Sequence, residues 1–407
     1  MEQKIYPFEV HQLPIEQVDT HALYVMEKLK DAGFVAYLVG GSVRDLLLNK
    51  KPKDYDISTS ASPEEIRALF RNCILVGRRF RLAHIRFGRK VLEVSTFRTG
   101  DTESEQLIVR DNVWGNPEQD AERRDFTINA LFYDPADQTI IDYVGGYEDL
   151  KRKYLRTIGH AYSRFKQDPV RMLRMLKFQA RFGFEVDPNA HIALLECRHD
   201  IVKSSAARIL EEVLRMLESG ASQSFFKLMT NHGILDYLLP NLASFLEKEE
   251  GNEIFSFLQE VDLIFQDPTS RPLERPILMS CLVFPILKEH IERYSLEHNR
   301  PPHLGEIHMQ TRDLLNEIFH GFFSIPRKLR ISMTSILILQ YRLTPIEKKY
   351  LRKKRIPSDP EFPLALDFLN LRCCLEPGLQ KIYEEWVTIA EHPEKHKAVP
   401  RRRRRRK

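Results

Sequence analysis

Apolar positions recur at helical spacing through residues 15–32, and the pattern stops at Gly33. A continuous apolar run at 35–39 follows. It is short enough for a buried strand, and Gly40-Gly41 turns the chain out of it. Ser42 predicts a helix cap, with Val43, Leu46, Leu47 and Leu48 behind it. Residues 55–59 predict a second strand, with Asp54 at its entry. Ser62-Pro63-Glu64-Glu65 predicts a helix start, because Ser suits the cap and Pro the first helical position. Further strands are expected at 74–76, 83–87 and 91–97, and the polar stretch 99–119 predicts a mobile loop.

The texture changes near residue 160. Strand signals become scarce and amphipathic helical patterns take over, strongest at 170–182 and 206–217. Pro268, Pro272, Pro276, Pro301 and Pro302 cut the second half into helical pieces. No internal repeat or coiled-coil heptad is visible. The fold class expected is therefore α+β, a mixed-sheet head followed by an all-helical body. The expected segments are a catalytic head at 1–150, a helical neck at 151–240, a helical body at 241–390 and a disordered basic tail at 391–407.

Charge changes this picture at one place. The net charge of the 407 residues is +5, yet Arg401, Arg402, Arg403, Arg404, Arg405, Arg406 and Lys407 alone carry +7, leaving the rest at −2. Such a block cannot bury apolar surface and reads as an arm for a polyanion, RNA above all. The five cysteines form no Cys-x-x-Cys pair, so neither a zinc site nor a disulfide framework is implied, and a reducing cytoplasm fits. No apolar run approaches the ~18 residues of a membrane span.

Candidate chemistry starts at Lys53-Asp54-Tyr55-Asp56. Carboxylates two apart on a strand share a face, and they repel unless a cation sits between them. The Gly40-Gly41 turn upstream opens a helix whose first N–H groups suit an anion. Metal on one side and a phosphate cradle on the other is the equipment of phosphoryl or nucleotidyl transfer. Gly40, Gly41 and Arg44 are candidates to hold the triphosphate. Glu93 is a candidate third carboxylate, on a strand that could face either the aspartates or solvent. Arg123-Arg124-Asp125-Phe126-Thr127-Ile128-Asn129 is a second cluster, with Arg suited to phosphate and Asp to ribose or metal. There, Asp125 could instead fix a turn and Asn129 act as a cap. In Gln167-Asp168-Pro169-Val170-Arg171-Met172-Leu173-Arg174, Asp168 suits a helix cap, and Arg171 and Arg174 are neighbours on one helix face.

In this order the three clusters resemble the class II tRNA nucleotidyltransferase and bacterial poly(A) polymerase family, across about residues 35–220. Gly40 to Asp45 with Asp54-Tyr55-Asp56 is similar to its catalytic motif, and Arg123 to Asn129 to its ribose-selecting motif. Residues 167–171 are similar to the Glu-Asp-x-x-Arg base-reading motif, with Gln167 where Glu is usual; Lys177 stands where some members have Arg. The resemblance implies a nucleotidyltransferase-type head and two Mg²⁺ on Asp54 and Asp56, with Mn²⁺ able to substitute. It implies ATP as substrate, Asp125 assisting catalysis or contacting ribose, Arg124 at the nucleotide, and base selection by Asp168, Arg171 and Arg174. Residues 75–87, with Arg78, Arg79 and Arg81 as RNA contacts, resemble the polyadenylating branch. The expected partners are RNA 3′ ends, single-stranded or structured, tRNA included, and no membrane. The expected reaction is template-independent addition of AMP to RNA. The alternative is CCA addition to tRNA on the same fold, and a rival of another class is a catalytically idle RNA-binding protein.

Overall fold

The computed structural model describes residues 2–77, 81–100, 107, 113–346 and 356–391. Its contacts divide into two units, Met1–Asp200 and Ile201–Lys407.

The first unit is built on an eight-stranded mixed sheet. Its strands are β1 (Lys4–Tyr6), β2 (Ala36–Val39), β3 (Asp56–Thr59), β4 (Cys73–Val76), β5 (Leu82–Phe87) and β6 (Lys90–Thr96), then, after a short pair β7 (Arg98–Thr99) and β8 (Val113–Trp114), β9 (Leu131–Asp134) and β10 (Thr139–Asp142). The order is β1-β10-β9-β2-β3-β6-β5-β4. All neighbours are antiparallel except β3 and β6, which run parallel with Asp56 opposite Glu93 and Ser58 opposite Ser95.

The first-unit helices are α1 (Phe8–His11), α2 (Thr20–Asp31), α3 (Gly41–Leu47), α4 (Pro63–Leu69), α5 (Pro117–Glu122), α6 (Gly146–Lys151), α7 (Ala161–Gln167), α8 (Val170–Phe182) and α9 (Pro188–Cys197). The helix expected at 15–32 begins only at Thr20. Asp19 caps it, accepting from the N–H groups of His21 and Ala22 at 3.0 and 3.2 Å, and Ile15–Gln17 forms a separate 3₁₀ turn behind Pro14. The start at Ser62 has the expected form: its hydroxyl accepts from the Glu65 N–H while Glu65 reaches back to the Ser62 N–H.

Three expectations are corrected. The 99–119 stretch is not one loop: β7 and β8 pair across it, and α5 starts at Asn116-Pro117 with its own capping box. Residues 101–106 and 108–112 lie outside the described residues. Ser42 does not cap α3. Its hydroxyl donates to the Val39 carbonyl at 2.8 Å, and Gly40 takes the cap position with φ 70°, a conformation that favours glycine. The neck is not purely helical, because β11 (Tyr154–Leu155) and β12 (Glu185–Val186) pair in parallel.

The core of this unit follows the pleat. Leu38, Ile57, Ala83, Ile85 and Val94 are buried, and α2 and α4 pack on the sheet. A second cluster of Val39, Phe97, Ala121, Ala130, Phe132, Ile141, Val144 and Ile158 anchors the segment that carries residues 121–130. Asp142, at the end of β10, accepts from the N–H groups of Val144, Gly145, Gly146 and Tyr147, so one buried carboxylate starts α6.

The second unit is helical throughout its described residues. Ala206–Leu217 forms where it was expected, and Asn252–Gln266, Arg275–His298, Leu304–Ile318, Arg327–Leu343 and Phe362–Leu375 are the longest of the others. Phe257, Phe284 and Phe368 make mutual ring contacts at 5.4–6.2 Å. A further cluster joins Leu339, Leu343, Phe362, Leu369 and Trp386, whose indole N–H donates to the Leu343 carbonyl. Among the described residues no helix is long and apolar enough to cross a membrane.

Candidate active site

β3 leaves the sheet's interior at Asp56, and Asp54 stands two residues earlier in an exposed position. Ser58 and Ser95 exchange a hydrogen bond at 3.1 Å, which puts the Asp56–Ser58 and Glu93–Ser95 side chains on one face of the parallel pair. This face is open at Asp56, which is partly exposed, and at Glu93, whose side chain is 52% exposed. His84, across from Glu93 on β5, has its Nε2 3.5 Å from the Glu93 carboxylate. Among the described residues no group of three or more His, Cys, Asp or Glu side chains forms a ready-made cage. Two hard, accessible carboxylates without a complete cage fit a divalent cation that keeps waters and takes its remaining oxygens from phosphates.

Arg124 connects this strand to the second cluster. Its Nη2 reaches Ser58 Oγ at 3.4 Å, its Nη1 the Asn129 carbonyl at 3.3 Å, and Nε and Nη2 donate to Asp120 Oδ2 at 3.2 and 2.8 Å. Arg123 donates to Asp120 Oδ1 at 2.9 and 2.6 Å. Asp120 is fully buried and also accepts from the Arg98 N–H. Burial raises its pKa, but Arg124 and Arg123 outweigh this and hold the carboxyl below its ordinary value. Gly40 is bound to the same arrangement. A Cβ there would lie 2.9 Å from Arg124 Nη1, on top of the strained φ. At Gly41 it would lie 3.5 Å from Arg44 Nη2, an ordinary contact.

Asp125 is 8% exposed and accepts three bonds: from Arg174 Nη1 at 3.1 Å, Asn129 Nδ2 at 2.9 Å and the Phe126 N–H at 2.8 Å. Burial pushes its carboxyl up, yet Arg174 and these donors prevail and hold it at about 2. Asn129 is a bridge rather than a cap, since its Oδ1 also accepts from Arg44 Nη1 at 2.5 Å. Arg44 itself is 4% exposed. Its Nε and Nη2 donate to Asp45, and its guanidinium lies 4.8 and 5.0 Å from the Phe178 and Phe182 ring centres. Every nitrogen of Arg44 is thus engaged with the protein. These contacts tie α3 to Asn129 and to the rings of α8.

The third cluster is the joint between α7 and α8. Asp168 is partly exposed in that joint, and Arg174 is partly exposed one turn into α8. Arg171 is 6% exposed and donates to the Arg164 carbonyl at 3.1 Å, Gln167 Oε1 at 3.4 Å and the Arg123 carbonyl at 3.4 Å. The structure therefore brings Arg124, Asp125, Arg171 and Arg174 into one bonded network that reaches Ser58, two residues along β3 from Asp56. Arg81 is exposed and paired with Glu64. Arg78, Arg79 and Arg401 through Lys407 lie outside the described residues.

Sequence reasoning missed Asp120 and Arg164. Asp120 was readable, being three and four residues before the two arginines that follow α5. Arg164 carries no such local signal, because its acceptors come from a distant segment.

Three family models match the chain: poly A polymerase head domain at residues 36–156, probable RNA and SrmB-binding site of polymerase A at 183–246, and polymerase A arginine-rich C-terminus at 308–407. Poly(A) polymerase I of Escherichia coli O6:H1 is 35% identical over 400 residues, covering 94% of this chain and 84% of the relative. A CCA-adding enzyme of Lactobacillus johnsonii is 36% identical, but over 56% of each chain. The crystal structure of the Bacillus stearothermophilus CCA-adding enzyme in complex with CTP shares the fold, with TM-score 0.65 and 23% identity, covering 92% of this chain and 83% of that one. The polyadenylating relative is matched nearly end to end and the CCA-adding one only in part, and on that coverage the chain belongs to the bacterial poly(A) polymerase family.

Proposed function

We propose that this chain adds AMP from ATP to RNA 3′ ends without a template and releases pyrophosphate. The observation that carries the reading is the junction of an open Asp54/Asp56 strand end with a pre-bonded Arg124–Asp125–Arg171–Arg174 network. In the reaction the RNA 3′-oxygen forms a bond to the α-phosphorus. The bond from that phosphorus to the bridging oxygen of the β-phosphate breaks, its electron pair leaving with pyrophosphate, and the hydroxyl proton passes to solvent. Asp54 and Asp56 would hold two Mg²⁺, with Mn²⁺ able to replace them. When bound, such ions supply Lewis acidity that favours the attacking alkoxide and steadies the pyrophosphate. Glu93, on the same face, serves as an outer neighbour of that pair.

The first N–H groups of α3, beyond Gly40 and Gly41, have no partner within the helix and are placed for phosphate oxygens. Arg124 adds its positive charge beside β3. Asp125, kept ionised by Arg174, offers a carboxylate to a ribose hydroxyl. Asp168, Arg171 and Arg174 present the hydrogen-bonding edge that selects adenine. Residues 1–150 act as the catalytic head, 151–240 as the neck, 241–390 as the body and 391–407 as a basic arm. That arm, together with Arg78, Arg79 and Arg81, attracts the RNA backbone by charge. Cytoplasmic RNA is the natural setting for this chemistry.

The test uses purified protein, Mg²⁺, a generic single-stranded RNA and one nucleotide at a time. ATP alone should extend the RNA into a long homopolymer, with CTP a poor substrate. Efficient use of CTP, and a halt after three additions on tRNA lacking its 3′ end, would replace this reading by CCA addition.

A further inference from the structure

Arg164 is the largest fully buried side chain of the described residues, at 1% exposure. It lies on α7 and is not among the residues assigned above to metal, phosphate or base, though it bonds directly to two of them, Arg124 and Arg171. Its Nη2 donates to the carbonyls of Arg123 and Arg124 at 2.7 and 2.5 Å, and its Nη1 to Gln167 Oε1 at 3.0 Å. The two carbonyls stand just past the C-terminal end of α5, where helical acceptors lack partners and a positive charge is favoured. Gln167, 2% exposed, shares its one oxygen between Arg164 and Arg171. One planar fork therefore grips the peptide groups that immediately precede Asp125. Through a neutral amide it also engages the guanidinium of Arg171.

We infer that Arg164, with Gln167 as its shared acceptor, is a positioning residue that sets nucleotide choice. The inference rests on the proposed reaction and deepens it. The groups that meet the nucleotide come from two separate segments. Arg124 and Asp125 belong to the turn after α5, whereas Asp168, Arg171 and Arg174 belong to the start of α8. Discrimination between adenine and cytosine requires donors and acceptors held to a fraction of an ångström, because a wrong base is rejected by the polar groups it leaves unpaired. The contacts from Arg174 to Asp125 and from Arg171 to the Arg123 carbonyl also cross between the segments, but they are made by side chains to which the proposed reaction gives a second task at the base. Arg164 supplies a crossing contact that substrate cannot compete for. Its fork geometry matters as well as its charge: lysine keeps the charge, but its donors radiate from one nitrogen, whereas Arg164 reaches the carbonyls and the amide from two.

The experiment compares wild type with Arg164→Lys and Gln167→Leu. It measures kcat/KM for ATP and for CTP on one RNA primer, equilibrium binding of each nucleotide, and thermal unfolding. The ATP:CTP ratio should fall by about tenfold in Arg164→Lys, and by less in Gln167→Leu, while the RNA concentration dependence stays as in wild type. Gln167→Glu, which offers the two guanidiniums a charged acceptor, should keep or raise the ratio. Equal losses for both nucleotides, leaving the ratio unchanged, would reduce Arg164 to a merely structural role and overturn the inference. If Arg164→Lys does not fold, the paired change in ratio between Gln167→Leu and Gln167→Glu decides by the same criterion. If wild type transfers no AMP, the proposed reaction fails, and the ratio of ATP to CTP binding across the same variants still decides this inference.

Discussion

Asp56 and Asp125 are both carboxylates of the candidate site, and they are built in opposite ways. Asp56 stands at the start of β3 on an open face beside an exposed Glu93. Asp125 is buried under three donors and held far below the ordinary carboxylate range. At Asp56 the protein keeps the carboxylate partly exposed. Around Asp125 it supplies nearly every partner in advance. The difference separates two tasks. A divalent cation and a triphosphate bring their own strong charge and need a few hard ligands with freedom to adjust. A ribose hydroxyl brings only a neutral hydrogen-bonding group and needs a frame that does not adjust.

The contrast can be broken most directly at the open end. Asp56→Asn should lower AMP incorporation by more than about a hundredfold, equivalent to ~3 kcal/mol in the transition state. Its melting temperature should stay close to wild type, since a partly exposed carboxylate supports little of the fold. Substantial residual incorporation would remove Asp56 from the metal site.

At the closed end the larger effect should be on stability. Because the folded pKa of Asp125 is depressed, its contribution is complete above the ordinary carboxyl pKa of 3.8 and is lost as pH falls through about 2. Asp125→Asn should therefore cost about 2 kcal/mol near neutrality and flatten the acid limb of the stability curve between about pH 4 and 2. Denaturant titrations at a series of pH values check this, and parallel curves for mutant and wild type would contradict it.

Gly40→Ala sits between the two ends. The positive φ and the approach to Arg124 Nη1 should together cost at least about 1 kcal/mol, visible in chemical unfolding, with ATP use reduced as Arg124 shifts. Gly41→Ala is the control, with only ordinary contacts to meet. The smallest effect belongs to Glu93→Gln. A half-exposed charge contributes at most ~1 kcal/mol, so steady-state rates should change by less than about fivefold. A loss rivalling that of Asp56→Asn would make Glu93 a third metal ligand and sharpen the open region into a built one.

The open region was the easier to read in the sequence. Asp54 and Asp56 stand two residues apart in the sequence, although only Asp56 lies in β3, and the run at 91–97 brings Glu93 opposite Asp56 once it pairs with β3. Helices with a clean amphipathic pattern, α8 and Ala206–Leu217, also fall where the pattern puts them. What failed was reading polarity as absence of structure. The 99–119 stretch hides a strand pair, and Asn116-Pro117-Glu118-Gln119 is a capping box that the spacing could have revealed. Gly40 shows a different gap, since a serine one step inside a helix resembles a cap until backbone geometry gives that role to the glycine. The closed region is the least legible. Which carbonyl a buried arginine grips depends on the approach of segments about forty residues apart, as with Arg164 and Arg123, and no local pattern records it.

Strand order also governs when this chemistry becomes available. β2 pairs with β3 on one side and with β9 on the other, Leu38 lying opposite Tyr133, and the last member of the network, Arg174, comes later still. Contacts of such long sequence separation form late, because the intervening chain must first be drawn in. A ribosome-bound fragment that ends before α8 carries both aspartates yet lacks the frame that would direct them. The network around Asp125 thus cannot be complete until the chain has been made past Arg174, near the end of the first unit.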